Sequence, residues 1–187
     1  MRESPPLPIL LAIATVFSVL SVPVITLLPV IARDQLGLGA DGYGALMASL
    51  GLGAVAGALM IAATGGGRER GKVFRIASFG FPLLLGLFAL VHTPLVNGLI
   101  LFGVGVTMII NNALVNARLQ ELVPDALRGR VLSLYVMVYV GGTPVGSFVG
   151  GWVARVAGVD WAIGGGAVLM LLFATWAFRK HPGLTAR

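Results

Sequence analysis

The sequence has no cysteine among its 187 residues, and only 11% of them are charged. Without cysteine there is no disulfide, thiol nucleophile or thiolate metal ligand. A soluble domain carries about 25% charged residues, so this chain has too little charge to cover a water-facing surface. Its two histidines, His92 and His181, are far apart in sequence and form no His-Glu-x-x-His motif. The composition therefore argues against soluble proteins, zinc hydrolases and thiol enzymes.

Long apolar runs dominate the sequence, and 57% of its residues are hydrophobic. Crossing a hydrocarbon core of about 30 Å takes roughly 20 helical residues, each rising about 1.5 Å. Backbone polar groups must be satisfied internally in lipid, so such runs form helices. The sequence predicts an all-α membrane protein with a single six-helix transmembrane bundle. The predicted spans are residues 7–32, 43–64, 73–91, 95–118, 131–154 and 161–178.

The basic residues lie between these runs and predict an orientation. Of the 13 lysines and arginines, all but Arg33 and Arg155 fall on one side of the predicted membrane. Cytoplasmic segments of membrane proteins carry an excess of basic residues. Both termini and the connections after the second and fourth spans are therefore predicted to be cytoplasmic, in an inner or plasma membrane. The net charge of +6 then reflects topology, and no nucleic-acid partner is expected.

Glycines and prolines mark special positions inside the spans. Residues four apart share a helix face, and a row of glycines lets two helix backbones approach closely. The sequence predicts tight packing, or a surface that slides during transport, at Gly53, Gly57, Gly142, Gly146 and Gly150. Prolines inside a span are expected to bend or break it, as a structural kink or as a bend used in gating. These prolines are Pro23, Pro29 and Pro144.

Three passages together carry a family resemblance: LQELVPDALRGRVLSLY (Leu119–Tyr135), GGTPVGSFVGGWVA (Gly141–Ala154) and GYGALMASLGLGAVAGALM (Gly42–Met60). The combination resembles the C-terminal half of major facilitator superfamily transporters. It is most similar to the transmembrane secretion effectors, which include siderophore and macrolide exporters. The most specific element is the Pro-Asp-x-x-Arg-Gly-Arg string, which contains Asp125, Arg128, Gly129 and Arg130.

The resemblance implies a transporter of twelve spans, in which this chain supplies spans seven to twelve and substrate binds between two six-helix bundles. We expect the chain to be a fragment or truncated form, with a separate N-terminal half or self-association as alternatives. Gly71 and Lys72 match the end of the family's Gly-x-x-x-Asp-Arg-x-Gly-Arg-Arg signature, but Arg68 occupies the aspartate position. Asp125 is expected to pair with a neighbouring arginine or to cap the turn before the fifth span.

The candidate substrate-contacting residues are polar and uncharged, since the spans carry no charge between their ends. Buried amides and hydroxyls need hydrogen-bond partners, so these side chains should face other helices or a watery cavity. Interhelical hydrogen bonding and cavity lining are both compatible with this pattern. The two tyrosines could also close one end of a pathway. The candidates are Thr107, Asn111, Asn112 and Asn116 in the fourth span, Ser18, Ser21 and Thr26 in the first, and Tyr135 and Tyr139 in the fifth.

The sequence thus predicts half of a secondary active transporter, an alternating-access exporter of small molecules driven by an ion gradient. Its expected partners are the lipid bilayer, a small-molecule substrate and a second bundle. No cofactor is expected, because GGRERGKV (Gly66–Val73) resembles a phosphate loop but lacks the Ser or Thr that would hold Mg²⁺. The alternative is a non-transporting membrane scaffold or accessory subunit.

Overall fold

The computed structural model describes residues 7–64, 68–181 and 184, and these residues form six long helices. Each helix is long and apolar enough to cross a membrane. The prediction of an all-α membrane protein with a six-helix bundle is confirmed. The helices are α1 (Leu7–Val30), α2 (Ala40–Ala63), α3 (Arg68–Leu90), α4 (Pro94–Leu122), α5 (Asp125–Ala157) and α6 (Val159–Lys180).

Most helices extend beyond the apolar runs that predicted them. The fifth begins at Asp125 rather than at residue 131, and the fourth ends at Leu122 rather than at residue 118. A helix satisfies its backbone hydrogen bonds equally well in the polar region beside the membrane, so charge does not end it. Arg2 and Arg187, which contribute to the predicted orientation, lie outside the described residues.

The helices pack in two rows. Helices α2, α4, α1 and α5 form a front row in that order, while α3 and α6 pack against each other behind α4 and α1. The chain thus divides into two consecutive triplets, α1–α3 and α4–α6. The second helix of each triplet packs on the first helix of the other: α2 on α4, and α5 on α1. Since two membrane crossings, α2 and α3, lie between α1 and α4, these two helices run in opposite directions. The bundle is an inverted pair of three-helix units, which the sequence itself hardly reveals.

Glycine makes the α2–α4 contact possible. A Cβ atom at Gly53 would lie within 2.9 Å of three backbone atoms of Phe102, and one at Gly57 would lie 2.6 Å from the carbonyl oxygen of Val106. In the opposite direction, a Cβ atom at Gly105 would lie 2.8 Å from the backbone nitrogen of Ala54. Both helices thus contribute glycine, and their backbones touch directly.

The equivalent α1–α5 contact uses the second glycine row. A Cβ atom at Gly146 would lie 3.0 Å from the carbonyl carbon of Val19, and one at Gly142 would lie 3.0 Å from Ser18 Oγ. Gly150 faces the ring of Pro23. The spacing of four residues keeps all three glycines on the face that meets α1.

The prolines do not break their helices. Pro23 and Pro29 lie within α1, and Pro144 lies within α5. Of the bend or break expected at these prolines, the break does not occur, since proline is tolerated inside membrane helices. Two residues after Pro29, the backbone widens into a π-helical turn, Ile31–Gln35, which continues α1.

Candidate functional site

Polar side chains meet where α1, α4 and α5 come together. Asn112 Nδ2 donates a hydrogen bond of 2.7 Å to the Tyr139 hydroxyl oxygen. Ser18 Oγ donates to the backbone oxygen of the same tyrosine. The rings of Tyr135 and Tyr139 stack, with centroids 5.9 Å apart and an interplanar angle of 20°. We call Ser18, Asn112, Tyr135 and Tyr139 the Asn112–Tyr139 cluster.

The cluster lies deep within the bundle. At about 1.5 Å per residue, Asn112 is roughly 15 Å from the Leu122 end of α4, and Tyr139 is roughly 21 Å from the Asp125 end of α5. Both positions fall near the middle of a hydrocarbon core about 30 Å thick. Three different helices are joined at this depth by side chains that carry no charge.

The cluster offers hydrogen-bonding groups and an aromatic face. Asn112 and Tyr139 are half-buried, whereas Tyr135 is buried. A tyrosine hydroxyl that accepts one hydrogen bond still has its own proton to donate, and an amide that donates through Nδ2 still has an acceptor oxygen. Asn112 and Tyr139 can therefore contact a polar uncharged group on a ligand. Tyr135 supports the ring of Tyr139 from behind.

Asn111 and Thr107 lie on a different face of α4 and do not join the cluster. Ser78 Oγ in α3 donates a 2.7 Å hydrogen bond to Asn111 Oδ1, and Asn111 Nδ2 donates to the backbone oxygen of Thr107 at 3.1 Å. Asn111 is buried. Of the two interpretations open for Asn111, the structure shows interhelical hydrogen bonding. Asn111 and Asn112 contact different helices because adjacent residues of a helix point in different directions.

The remaining polar candidates lie along the same front row. Asn116 is one turn from Asn112 and accepts a hydrogen bond from Gln120. Ser21 donates to the backbone oxygen of Ser18 at 3.3 Å. Thr26 Oγ1 lies 3.2 Å from Ser147 Oγ in α5, so it bridges the two helices. Ser18 and Thr26 thus contact α5, whereas the hydrogen bond of Ser21 stays within α1.

The Pro-Asp-x-x-Arg-Gly-Arg string forms the first turns of α5. Asp125 pairs with Arg128, and the N-cap position of α5 is occupied by Pro124, which makes no side-chain cap. A Cβ atom at Gly129 would meet nothing within 4 Å, and the backbone oxygen of Arg130 accepts a hydrogen bond from Ser133. Of the two roles expected for Asp125, the structure shows the ion pair.

The other signature lies at the start of α3. Gly71 is buried and Lys72 is exposed in its first turns. Residues 65–67 and the side chain of Arg68 lie outside the described part of the chain. The position at which the family signature has an aspartate is therefore not described.

Several residues that make polar contacts between helices were not predicted from the sequence. Ser78 is the one uncharged polar side chain in the third predicted span, a signal that could have identified it as a hydrogen-bonding residue. At the opposite end of the bundle, Asp160 Oδ1 accepts a 2.8 Å hydrogen bond from Gln35 and lies 3.7 Å from His92 Nε2. Within the described ranges, no group of three His, Asp or Glu side chains could hold a metal ion.

Comparison with known proteins identifies a family. The family model of the transmembrane secretion effectors matches residues 1–182. No curated protein and no solved structure matches the chain significantly. Because the match covers nearly the whole chain and the fold is a bundle of six apolar helices, the chain belongs to the transmembrane secretion effector family of major facilitator transporters.

Proposed function

We propose that this chain is one six-helix bundle of an alternating-access exporter that moves small amphiphilic molecules across the cell membrane. In this proposal a second six-helix bundle completes the pathway, and an ion gradient drives transport. Family membership supports a transporter, and the resemblance to a branch that includes siderophore and macrolide exporters supports the export direction. The Asn112–Tyr139 cluster provides the polar contacts for substrate.

The exposed apolar faces of α2 and α5 carry the proposal. Within the apolar 18-residue stretch of each helix, the buried share is only 22% in α2 and 17% in α5. In the other four helices it is 39–44%. These two helices flank α1 and α4 in the front row, the row that holds the cluster. A second bundle docked on α2 and α5 would cover them and enclose the cluster between the two halves.

The mechanism requires the two bundles to rock about the cluster. The close backbone contacts at Gly53 and Gly146 fix α2 to α4 and α5 to α1, so each front-row pair can move as a unit. Substrate that leaves the lipid or the cytoplasm would meet the aromatic face of Tyr139 and hydrogen-bond to it or to Asn112. Reorientation of the bundles would then open the site to the other side.

Proton coupling needs an intramembrane carboxylate, and the described residues of this bundle place none at mid-depth. An intramembrane carboxylate is the usual mark of a proton relay. The acidic side chains of the described residues lie at or beyond helix ends: Asp34, Asp41, Glu69, Glu121, Asp125 and Asp160. We therefore assign the coupling carboxylate to the second bundle.

Efflux measurements test the proposal. The chain is co-expressed with an N-terminal six-helix half of a family member, and efflux of ethidium and other fluorescent amphiphiles is followed in energised cells. We expect efflux only when both halves are present. Stable assembly of the two halves without efflux of any dye would instead support the scaffold or accessory role.

Two tyrosine substitutions test the assignment of the cluster. Tyr139→Phe removes the hydroxyl that bonds Asn112, whereas Tyr135→Phe removes a hydroxyl that has no hydrogen-bond partner among the described residues. Both keep the ring stack. We expect Tyr139→Phe to lower the efflux rate at least fivefold and Tyr135→Phe to change it less than twofold. Equal effects of the two substitutions would contradict the assignment.

Labelling tests the proposed orientation, and the absence of native cysteine makes it direct. Single cysteines are introduced at His92, an exposed residue between α3 and α4, and at Gly129, an exposed residue near the start of α5. We expect a membrane-impermeant maleimide to label the His92→Cys variant in intact cells. The Gly129→Cys variant should react only after permeabilisation, and the reverse pattern would overturn the orientation.

A further inference from the structure

Five basic side chains lie at one end of the packed α3–α6 pair. The ring of Phe178 lies 5.6 Å from the rings of both Phe74 and Phe79, so the start of α3 and the end of α6 are held side by side. The basic residues of these two helix ends, which we call the basic end, are Arg70, Lys72, Arg75, Arg179 and Lys180.

The acidic side chains of the described residues do not neutralise the basic end. Glu69 is the only acidic side chain in these turns, and within residues 7–64, 68–181 and 184 none of the five cations forms an ion pair. The Nε atom of Arg70 is buried without a hydrogen-bond partner in the same part of the chain. Positive potential of this kind attracts an anion from outside the protein.

The connection between α4 and α5 provides a contrast. It lies at the same predicted side of the membrane and is also basic, but there Arg118 pairs with Glu121 at 3.2 Å and Arg128 pairs with Asp125. Retention of basic segments on the cytoplasmic side depends on lysine and arginine and not on net charge. The orientation therefore does not explain why two of the basic residues in this connection have acidic partners while the five residues of the basic end form no ion pair within the described residues.

A groove on the outer face of α6 adjoins the basic end. The groove is shallow and open, with a volume of about 460 Å³, and all of its lining residues belong to α6: Leu172, Thr175, Trp176, Arg179 and Lys180. Lys180 Nζ lies 5.3 Å from the centre of the Trp176 ring. The groove is apolar toward the middle of the helix and cationic at its end, and tryptophan typically marks the membrane interface.

We propose that the basic end binds an anionic phospholipid. Arg179 and Lys180 bind the phosphate, an acyl chain lies along Leu172 and Trp176, and the cations at the start of α3 add to the attraction. A surface lysine or arginine contributes appreciably to binding an anionic membrane. Free phosphate would use only the cationic part of the groove, so the occupant is a lipid.

Native mass spectrometry of the full chain in neutral detergent measures the binding. Dioleoyl phosphatidylglycerol, dioleoyl phosphatidylcholine and inorganic phosphate are titrated separately. The test variant is R179Q/K180Q, and the matched control is R128Q/R130Q, which removes the same charge from the start of α5. Circular dichroism confirms that both variants keep their helices, and R179K/K180R tests whether charge alone restores binding.

We expect phosphatidylglycerol to bind at least tenfold more tightly than phosphatidylcholine. Each basic residue near an anionic lipid surface is worth about a fivefold change in affinity, so R179Q/K180Q should lose roughly 30-fold. The control should change less than threefold, and R179K/K180R should bind like the original chain. If the test variant loses its helices, the salt dependence of lipid binding by the original chain tests the proposal instead. Its affinity for phosphatidylglycerol should fall at least tenfold between about 0.05 M and about 0.5 M salt, while its affinity for phosphatidylcholine should not change.

Three results would overturn the proposal. Equal binding of the two phospholipids would show no recognition of charge. Equal losses in R179Q/K180Q and R128Q/R130Q would show an effect of net charge without a local site. Displacement of phosphatidylglycerol by an equimolar amount of inorganic phosphate would show a simple anion site.

Discussion

Substitution of Gly53 by alanine tests whether the α2–α4 backbone contact holds the bundle together. The added Cβ atom would lie within 2.9 Å of the carbonyl oxygen, carbonyl carbon and Cα of Phe102, whereas an ordinary contact at a Cβ atom begins at 3.4 Å. These are backbone atoms, so no side-chain rotation relieves the overlap. Helix α4 must move away, or α2 must tilt. Gly51, two residues earlier on the exposed face of α2, meets nothing within 4 Å and provides the control.

The two substitutions should have opposite signs. Alanine is favoured over glycine in a helix by about 1 kcal/mol, and this gain applies equally at both positions. At Gly51 nothing opposes it, so the free energy of unfolding should rise by up to about 1 kcal/mol. At Gly53 the overpacking costs typically 1–3 kcal/mol, and the separation of α2 from α4 also removes dispersion contacts along the interface. We expect a net loss of about 1–2 kcal/mol.

The free energy of unfolding of both variants is measured by titration with sodium dodecyl sulfate in mixed micelles, with circular dichroism as the signal. A stability for Gly53→Ala equal to or above that of Gly51→Ala would refute the reasoning, because it would mean that α2 and α4 do not touch at this point. Two-state reversibility is checked by refolding each variant from the denaturant.

Two further substitutions test smaller features. Ser78→Ala removes the donor to the buried Asn111 Oδ1, and an unsatisfied buried acceptor costs about 1–3 kcal/mol. We therefore expect the free energy of unfolding to fall by about 1–2 kcal/mol in the same titration. An unchanged free energy of unfolding would mean that the amide finds another partner. Asp125→Asn breaks the pair with Arg128, but Asp125 is 88% exposed, so the free energy of unfolding should change by no more than about 1 kcal/mol. A loss above 2 kcal/mol would show that the pair is structurally essential, and an altered efflux rate at unchanged stability would show that it biases one arrangement of the bundles.

The candidate site was only partly predictable. The sequence drew attention to Asn111 and Asn112 equally, because both are amides in an apolar span. The structure separates them: Asn111 faces Ser78 in α3, and Asn112 faces Tyr139 in α5. Helical periodicity predicts that adjacent residues of α4 point in different directions, but it does not predict which of the two asparagines contacts which neighbouring helix. That assignment needs the packing of α3 and α5 around α4.

The basic end shows the same limit. Basic residues at the start of α3 and at the end of α6 are visible in the sequence, but more than a hundred positions separate them. Their combination depends on the contact of Phe178 with Phe74 and Phe79, which is made only when the two helices pack side by side.

The sequence by itself determined that this chain crosses a membrane as six helices, because the hydrophobic effect and the need to satisfy backbone hydrogen bonds act on each apolar run separately. It also determined the glycine faces, since a spacing of four residues is a local property of a helix. Only the tertiary structure decided that α2 packs on α4 and α5 on α1, that the two triplets form an inverted pair, and that Ser18, Asn112 and Tyr139 meet. These features depend on the relative positions of helices distant in sequence, and that information is held in the complementarity of their surfaces rather than in any one segment.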